Sequence, residues 1–290
     1  MEFIDRYRTL AEDFTTDVVI RPALRVNSLR DAAVQDRLQK RGVRLEKVPY
    51  LTHGYFYEAG FSLGATPEYL LGLYYLQGPL SQLVSELLAP KPGETILDMA
   101  AAPGSKTTHL AQLMRNEGVI FALDSNAARL EALQNNCERL GVRNVLAFKK
   151  DARFVADFDM TFDRVLLDAP CSGNFCAEDG WFAKRRLADV NANARLQRAL
   201  LRAACTVVKT GGRVLYSTCS LEPEEDECVI DWVLRRQPEM RLEPLAVPLG
   251  DPGITAWGGK QLHESIRHAR RFWPHRTGAE GFFIALLSKR

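Results

Sequence analysis

Residues 94–106 read ETILDMAAAPGSK. Thr95 to Met99 is a short apolar run with Asp98 near its end, the pattern of a buried strand. Ala100 to Ser105 is a turn built of small residues. Lys106 to Met114 then shows the apolar spacing of a helix. Small residues let backbone approach a ligand closely, and a helix N-terminus offers unpaired N–H groups. Strand, small turn and helix together open a nucleotide-binding α/β unit.

The stretches that follow repeat the alternation. Val119 to Leu123 is a second apolar strand ending in Asp124, and the helix Ala127 to Leu140 closes at Gly141. Val145 to Phe148 leads to Asp151, and Phe162 to Leu167 ends in Asp168. The pattern continues with a helix from Ala192 to Val208, a strand from Arg213 to Tyr216 and a helix from Pro223 to Arg235. In that last helix Glu224, Glu225 and Asp226 would face the positive dipole end. Phe282 to Leu287 is the terminal strand. Such alternation predicts an α/β fold: a mostly parallel sheet with helices on both faces and ligands at the carboxyl strand ends.

Before this domain, residues 1–76 predict a small N-terminal α/β domain, leaving 77–290 for the catalytic one. Phe3 to Phe14 has helical spacing, Ala23 to Val26 and Val43 to Val48 suit strands, and Ser28 with Asp31 could start a helix from Leu29 to Arg41. The aromatics Tyr50, Tyr55, Phe56, Tyr57 and Phe61 either pack against the next domain or stack on bases. Pro67 to Leu88 predicts helices broken near Gly72 and Gly78.

Composition narrows the classes. The chain has 290 residues, 46% hydrophobic and 26% charged, with net charge +2. That is an ordinary globular profile, so any basic surface must be local. Six cysteines without CxxC or zinc spacing suggest free thiols and no metal. With no long apolar run, the expectation is a cytoplasmic protein with no membrane contact.

Asp98, Asp124, Asp151 and Asp168 all fall at or just past strand ends on one edge. An acid after the second strand suits ribose hydroxyls. The turn AAPGSK is neither GxGxxG nor a phosphate loop. The site therefore suits a nucleoside cofactor without pyrophosphate, and S-adenosyl-L-methionine fits. Two further strand ends carry cysteines, in DAPCSG (Asp168 to Gly173) and YSTCS (Tyr216 to Ser220). A thiolate there could act as a nucleophile near a positive charge, for which Lys106 is the candidate. Cys137, Cys176, Cys205 and Cys228 fit the usual role of small buried hydrophobes.

At these residues the chain resembles the Nol/Nop/Sun RNA cytosine-5 methyltransferases. The resemblance runs from about Leu70 to the C-terminus through QGPLSQL, ILDMAAAPGSKTTHL, LLDAPCSG, YSTCSLEPEEDE and GFFIALL. It implies a class I methyltransferase (Rossmann-like) sheet. It further implies that Cys219 attacks a flipped-out cytosine, Cys171 assists product release, Asp168 contacts the base and Lys106 lies close by. Ala100, Ala101, Ala102, Pro103, Gly104, Ser105, Lys106, Asp124, Asp151 and Asp168 would hold the cofactor. The chain departs from the family at Ala100, usually Cys, and Ser105, usually Gly. Both replacements are small, so a change of loop shape is expected without loss of binding.

Two stretches mix basic and aromatic residues. His263 to Arg276 contains Arg267, Arg270, Arg271, Arg276, Phe272 and Trp273. Trp181 to Arg186 contains Trp181, Phe182, Lys184, Arg185 and Arg186. Both suit phosphate contact and base stacking, and RNA is expected at both, the alternative being a solvated face with two buried aromatics. The face of Arg195, Arg198 and Arg202 suits solvent. The resulting expectation is a monomeric enzyme acting on RNA, tRNA first and rRNA as the alternative. A dinucleotide oxidoreductase lacks its glycine fingerprint. A DNA or protein methyltransferase would not need both cysteines. A non-catalytic RNA-binding module would not need Lys106, Asp168, Cys171 and Cys219 together.

Overall fold

The computed structural model describes residues 3–30 and 33–290. The N-terminal sheet is antiparallel, in the order Arg44–Lys47, Gly54–Glu58, Ala23–Val26, Tyr74–Leu76. Leu24, Val26, Leu38, Leu63 and Tyr74 form its own core. The first helix is Phe3–Leu10, shorter than its apolar spacing suggests, and the next is Val34–Lys40. The proposed cap partner Asp31 lies outside the described residues. Tyr74–Leu76 is a strand where helix was expected. It has three residues, too few to display an alternation, and Gly72 before it is at φ 71°, where a Cβ would collide with the Arg139 carbonyl.

The larger sheet has, among the described residues, a central parallel run of five strands. Their order is Val208–Thr218, Phe162–Asp168, Thr95–Asp98, Val119–Asp124, Val145–Lys149. Phe282–Lys289 pairs antiparallel with Val208–Thr218, and Arg270–Phe272 and Met240–Glu243 both pair with it. The order reverses beside Thr95–Asp98, the point at which α/β sheets open a crevice at their carboxyl ends. Helices Ala127–Leu140 and Leu187–Val207 supply apolar faces: Leu130 and Leu133 from the first, Ala194, Leu201 and Ala204 from the second. Helix Pro79–Leu88 buries Leu80, Leu83, Val84 and Leu88 in a second core with Ile96, Leu110 and Ile284. Among the described residues no helix is long and apolar enough to cross a membrane.

Two expectations are corrected here. The strand Val208–Thr218 begins well before Arg213, because Gly211 and Gly212 lie inside it near a register irregularity and do not end it. The helix expected from Pro223 begins at Glu227. Glu222, Glu225 and Asp226 precede it and are fully buried, so they do not form an exposed acidic first turn.

Candidate active site

The turn after Thr95–Asp98 is pinned from below. Asp98 is buried, accepts from Thr107 Oγ1 at 2.7 Å and from the Ala100 N–H at 3.4 Å, and burial pushes its pKa up to about 6. Its work is on the loop, unlike that of the other strand-end acids. Ala101 N–H donates to the Leu123 carbonyl at 2.8 Å, and the Pro103 carbonyl accepts from Asn136 at 3.0 Å. Gly104 sits at φ 104°, and a Cβ there would meet Leu133 Cδ1 at 2.7 Å. Only glycine fits that combination. Ser105 opens helix Ser105–Leu113, and its carbonyl accepts from buried Arg25 of the N-terminal sheet at 2.8 Å. Ala101, Pro103, Gly104 and Ser105 thus shape the loop, while Ala100 and Ala102 face the clefts.

A cleft of about 250 Å³ opens beside this loop. Asp124 and Asp151 stand on its rim with Ser125, Arg129 and Lys150, and Ala152, Pro170, Leu196 and Leu200 give it apolar walls. Asp124 is buried, accepts from the Asn126 N–H at 2.9 Å and lies 3.4 Å from Arg129. Asp151 is held by Arg153, whose side chain and N–H donate to it and lower its pKa. Apolar walls suit a purine, and the two acids suit hydroxyls or an ammonium. Arg129, which also donates to the Ala102 carbonyl, escaped the sequence reading.

A second cleft, about 330 Å³, shares Ala100, Arg129 and Pro170 with the first and is lined by Asp168, Cys171, Asn174 and Cys219. Lys106 is buried with its Nζ 2.7 Å from Asp168 Oδ2 and 5.5 Å from the centre of the Phe282 ring. Burial works against that charge, but the Asp168 carboxylate more than offsets it, and the Lys106 pKa is raised. Asp168 also accepts from Ser217 Oγ at 2.7 Å. The sulfurs of Cys171 and Cys219 are 3.3 Å apart, both half-buried and free. Cys219 is lowered below the usual thiol range by the hydrogen bond from Cys171, with help from Lys106 and against burial and Asp168. Cys171 is raised by that same bond, by burial and by Glu225. A lowered thiol beside a raised one is an arrangement that could serve as a nucleophile with an adjacent proton donor. Burial pushes the pKa of Cys137, Cys176, Cys205 and Cys228 up, as for inert thiols.

Sequence reasoning missed what fixes the two cysteine loops. Asn174, fully buried, donates to the carbonyls of Cys219 at 2.7 Å and Gly281 at 3.1 Å. Glu225 accepts from the Ser172 N–H at 3.0 Å. The acidic run EPEEDE was the visible signal for Glu225.

The structure takes part of each basic-aromatic stretch into the interior. Arg271 is buried, donates to the Leu221 carbonyl and pairs with Asp226 and Glu227. Phe272 and Trp273 are core residues, Arg267 pairs with Glu264, and Arg276 pairs with Asp13 and Asp251. Trp181 packs against Phe3 and Tyr7 and donates to the Ser172 carbonyl, and Lys184 and Arg185 pair with Glu178. Trp181, Arg271, Phe272 and Trp273 are thus interior residues, while Arg186 and Arg267 are exposed and Arg270 is half-buried. Arg195 and Arg202 are exposed, as expected for a solvated face, but Arg198 is half-buried with its Nε covered.

Residues 85–288 match the family described as 16S rRNA methyltransferase RsmB/F, and residues 1–79 match the N-terminal domain of 16S rRNA methyltransferase RsmF. The chain belongs to the RsmB/F family. Among RsmB/F relatives, the 25S rRNA (cytosine-C(5))-methyltransferase nop2 of Schizosaccharomyces pombe is 41% identical over 96% of this chain and 48% of its own length. The tRNA (cytosine(49)-C(5))-methyltransferase of Pyrococcus abyssi is 36% identical over 99% of this chain and 96% of its own. The chain therefore spans about half of the first relative and nearly all of the second. A solved methyltransferase homolog from Pyrococcus horikoshii is 42% identical with a TM-score of 0.85, covering 93% of this chain and 87% of that one. NSun6 from the same organism, solved with SFG, is 29% identical with a TM-score of 0.82 over 94% and 91%. The fold is that of a class I methyltransferase, as the strand order suggests, and the resemblance to Nol/Nop/Sun proteins holds.

Proposed function

We propose that the chain is an S-adenosylmethionine-dependent RNA cytosine-5 methyltransferase. The observation that carries this is the pair of sulfurs 3.3 Å apart, opening beside Lys106 and Asp168 into a cleft that adjoins the acid-rimmed one. The first cleft fits the cofactor: small Ala100 at the turn, apolar walls, and Asp124 and Asp151 in the lining. Ala100, Asp124 and Asp151 would hold it, on a loop shaped by Ala101, Pro103, Gly104 and Ser105, with Ala102, Lys106 and Asp168 at the adjoining cleft. When bound, it supplies an electrophilic sulfonium methyl group.

The chain's own residues do the rest. Cytosine must leave its stack to reach the second cleft. Carbon 5 of cytosine is a weak nucleophile. Cys219 thiolate adds to carbon 6, which makes carbon 5 enamine-like and able to accept a methyl group. Asp168 is placed to hydrogen-bond the ring's polar edge, with Lys106 holding the carboxylate. After transfer a base removes the carbon 5 proton, the carbon 6–sulfur bond breaks, and Cys219 leaves as thiolate. Cys171, at hydrogen-bond distance, assists that release.

tRNA is the substrate this reading favours, supported by the match along almost the whole length of the Pyrococcus abyssi tRNA enzyme. The rRNA alternative rests on the family description and on the Schizosaccharomyces pombe relative. RNA would lie across residues 1–76 as well as 77–290, with the protein a monomer. Two working thiols require a reducing compartment, which supports the cytoplasm. Methyl transfer to unmodified tRNA and rRNA transcripts, followed by bisulfite sequencing, tests the reading. The expected product is 5-methylcytosine in tRNA. Methylation of rRNA alone selects the alternative, and transfer to neither refutes the function.

A further inference from the structure

Two cysteines 3.3 Å apart at the ends of neighbouring strands are chemically alike. Something in the fold must make one the thiolate and the other the proton holder. The loop of Cys171 is held at Ser172, whose carbonyl accepts from Trp181 Nε1 at 2.8 Å and Arg185 Nε at 2.9 Å. Its N–H donates to Glu225, 3.0 Å from Oε2. Glu225 is fully buried and also accepts from Asn193 at 3.2 Å and Gln197 at 3.3 Å. All of its hydrogen-bond partners there are donors, an environment that suits an acceptor-only carboxylate.

We propose that Glu225 is the positioning residue that divides the roles of the two sulfurs. It fixes the Cys171 loop through Ser172 and sets a negative charge beside Cys171, while the Lys106 ammonium acts on Cys219. The inference rests on the thiol chemistry proposed above. Asp168 and Lys106 act on Cys219, Glu225 acts on Cys171, and Arg129, Glu178 and Arg185 line the same cleft. Of these, Glu225 and Arg185 both hold the backbone of Ser172, next to Cys171, and Glu225 is the negative charge of the two. A carboxylate there disfavours a second thiolate by simple repulsion. The shared proton therefore stays on Cys171, and Cys219 carries the negative charge. Burial raises the Cys171 thiol in the same sense.

Iodoacetamide alkylation across a pH series, with mass spectrometry resolving each cysteine, reads this division directly. In the wild-type protein Cys219 should alkylate at lower pH than Cys171. Glu225→Gln keeps an acceptor for Ser172 and removes the charge. It should bring the Cys171 midpoint down by about one pH unit, or roughly tenfold more Cys171 labelling at a fixed pH below the midpoint. Glu225→Asp should restore the wild-type order. A folded Glu225→Gln protein with an unchanged Cys171 midpoint overturns the inference. Wild-type Cys171 alkylating at the same pH as Cys219, or lower, also overturns it, whether or not the variant folds. Trapping wild type on RNA with 5-fluorocytosine separates the two readings. No adduct at Cys219 removes the proposed chemistry itself, whereas a normal adduct with an unmoved Cys171 midpoint removes only the role of Glu225.

Discussion

Replacing Asn174 by Ala should loosen the link between the two cysteine loops. The side chain is fully buried and makes three hydrogen bonds: to the Cys219 carbonyl at 2.7 Å, to the Gly281 carbonyl at 3.1 Å, and from the Cys176 N–H at 2.9 Å. Gly281 shows how close the approach is, since a Cβ there would meet Asn174 Nδ2 at 3.0 Å. At about 1 kcal/mol per bond the loss is about 3 kcal/mol. For a chain of this size that lowers the melting temperature by roughly 6–12 °C. The Cys219 backbone also loses its anchor, and misplacing a nucleophile by a fraction of an ångström slows attack about tenfold or more. Thermal melting measures the first effect, and the rate of adduct formation on RNA containing 5-fluorocytosine measures the second. Asn174→Asp keeps the shape but aims an acceptor at two carbonyls, and should fail on both counts. An Asn174→Ala protein that melts within about 1 °C of wild type and forms the adduct at the wild-type rate would refute the reasoning.

Asp124→Ala should weaken S-adenosylmethionine binding by about 1.5–3 kcal/mol through loss of charge-assisted hydrogen bonds; calorimetry with unchanged affinity would take Asp124 out of the cofactor site. Arg271→Met should leave the salt dependence of RNA binding unchanged, because Arg271 is buried with Asp226 and Glu227, yet cost about 3–5 kcal/mol in stability by stranding those acids. A flattened salt slope in a protein of wild-type stability would return Arg271 to the RNA surface. Adduct formation needs the Cys219 thiolate, so its rate rises with pH through a midpoint below the usual thiol range. Cys171→Ala removes the hydrogen bond that chiefly lowers Cys219, and should move that midpoint to higher pH while still allowing attack. A midpoint that stays put, or falls, shows that Cys171 does not assist ionisation.

Local signals were legible where the sequence settles structure within a few residues. Helix Ala127–Leu140 has its expected bounds because Asn126 caps it, accepting from the N–H groups of Ala128 and Arg129, and Gly141 ends it at φ 73°. The strand-end acids Asp124 and Asp168 and the two cysteines were legible because strand, turn and helix alternate around them. Long-range pairing was not. The stretch around Arg271 has the composition of an RNA surface, and nothing in it reveals that Glu227, 44 residues earlier, takes the charge inside the core. Trp181 reads as a stacking residue until Phe3 and Tyr7 cover it. Tyr74–Leu76 becomes a strand through its partner Ala23–Val26, not through its own three residues.

The buried acids after Cys219 follow from the same logic. Glu222, Glu225, Asp226 and Glu227 are all fully buried within six residues. Burying charge is costly, and removing one partner of such a pair is costlier still. Three of these acids, however, tie the Cys219 segment to other parts of the fold, and Asp226 closes the segment on itself. Glu222 takes Arg6 of the first helix at 2.7 Å, Glu225 takes the Cys171 loop, Asp226 takes Thr218 Oγ1 at 2.6 Å, and Glu227 takes Arg271. Thr218 Oγ1 in turn accepts from the Ser220 N–H at 3.2 Å, on the far side of Cys219. An apolar segment could pack as tightly, but it could not fix backbone direction at four points. The loop between Thr218 and Glu227 is therefore held by partners from the chain's first ten residues to its last twenty. Such anchoring is what a short turn needs to hold a sulfur steadily enough for the covalent chemistry proposed above.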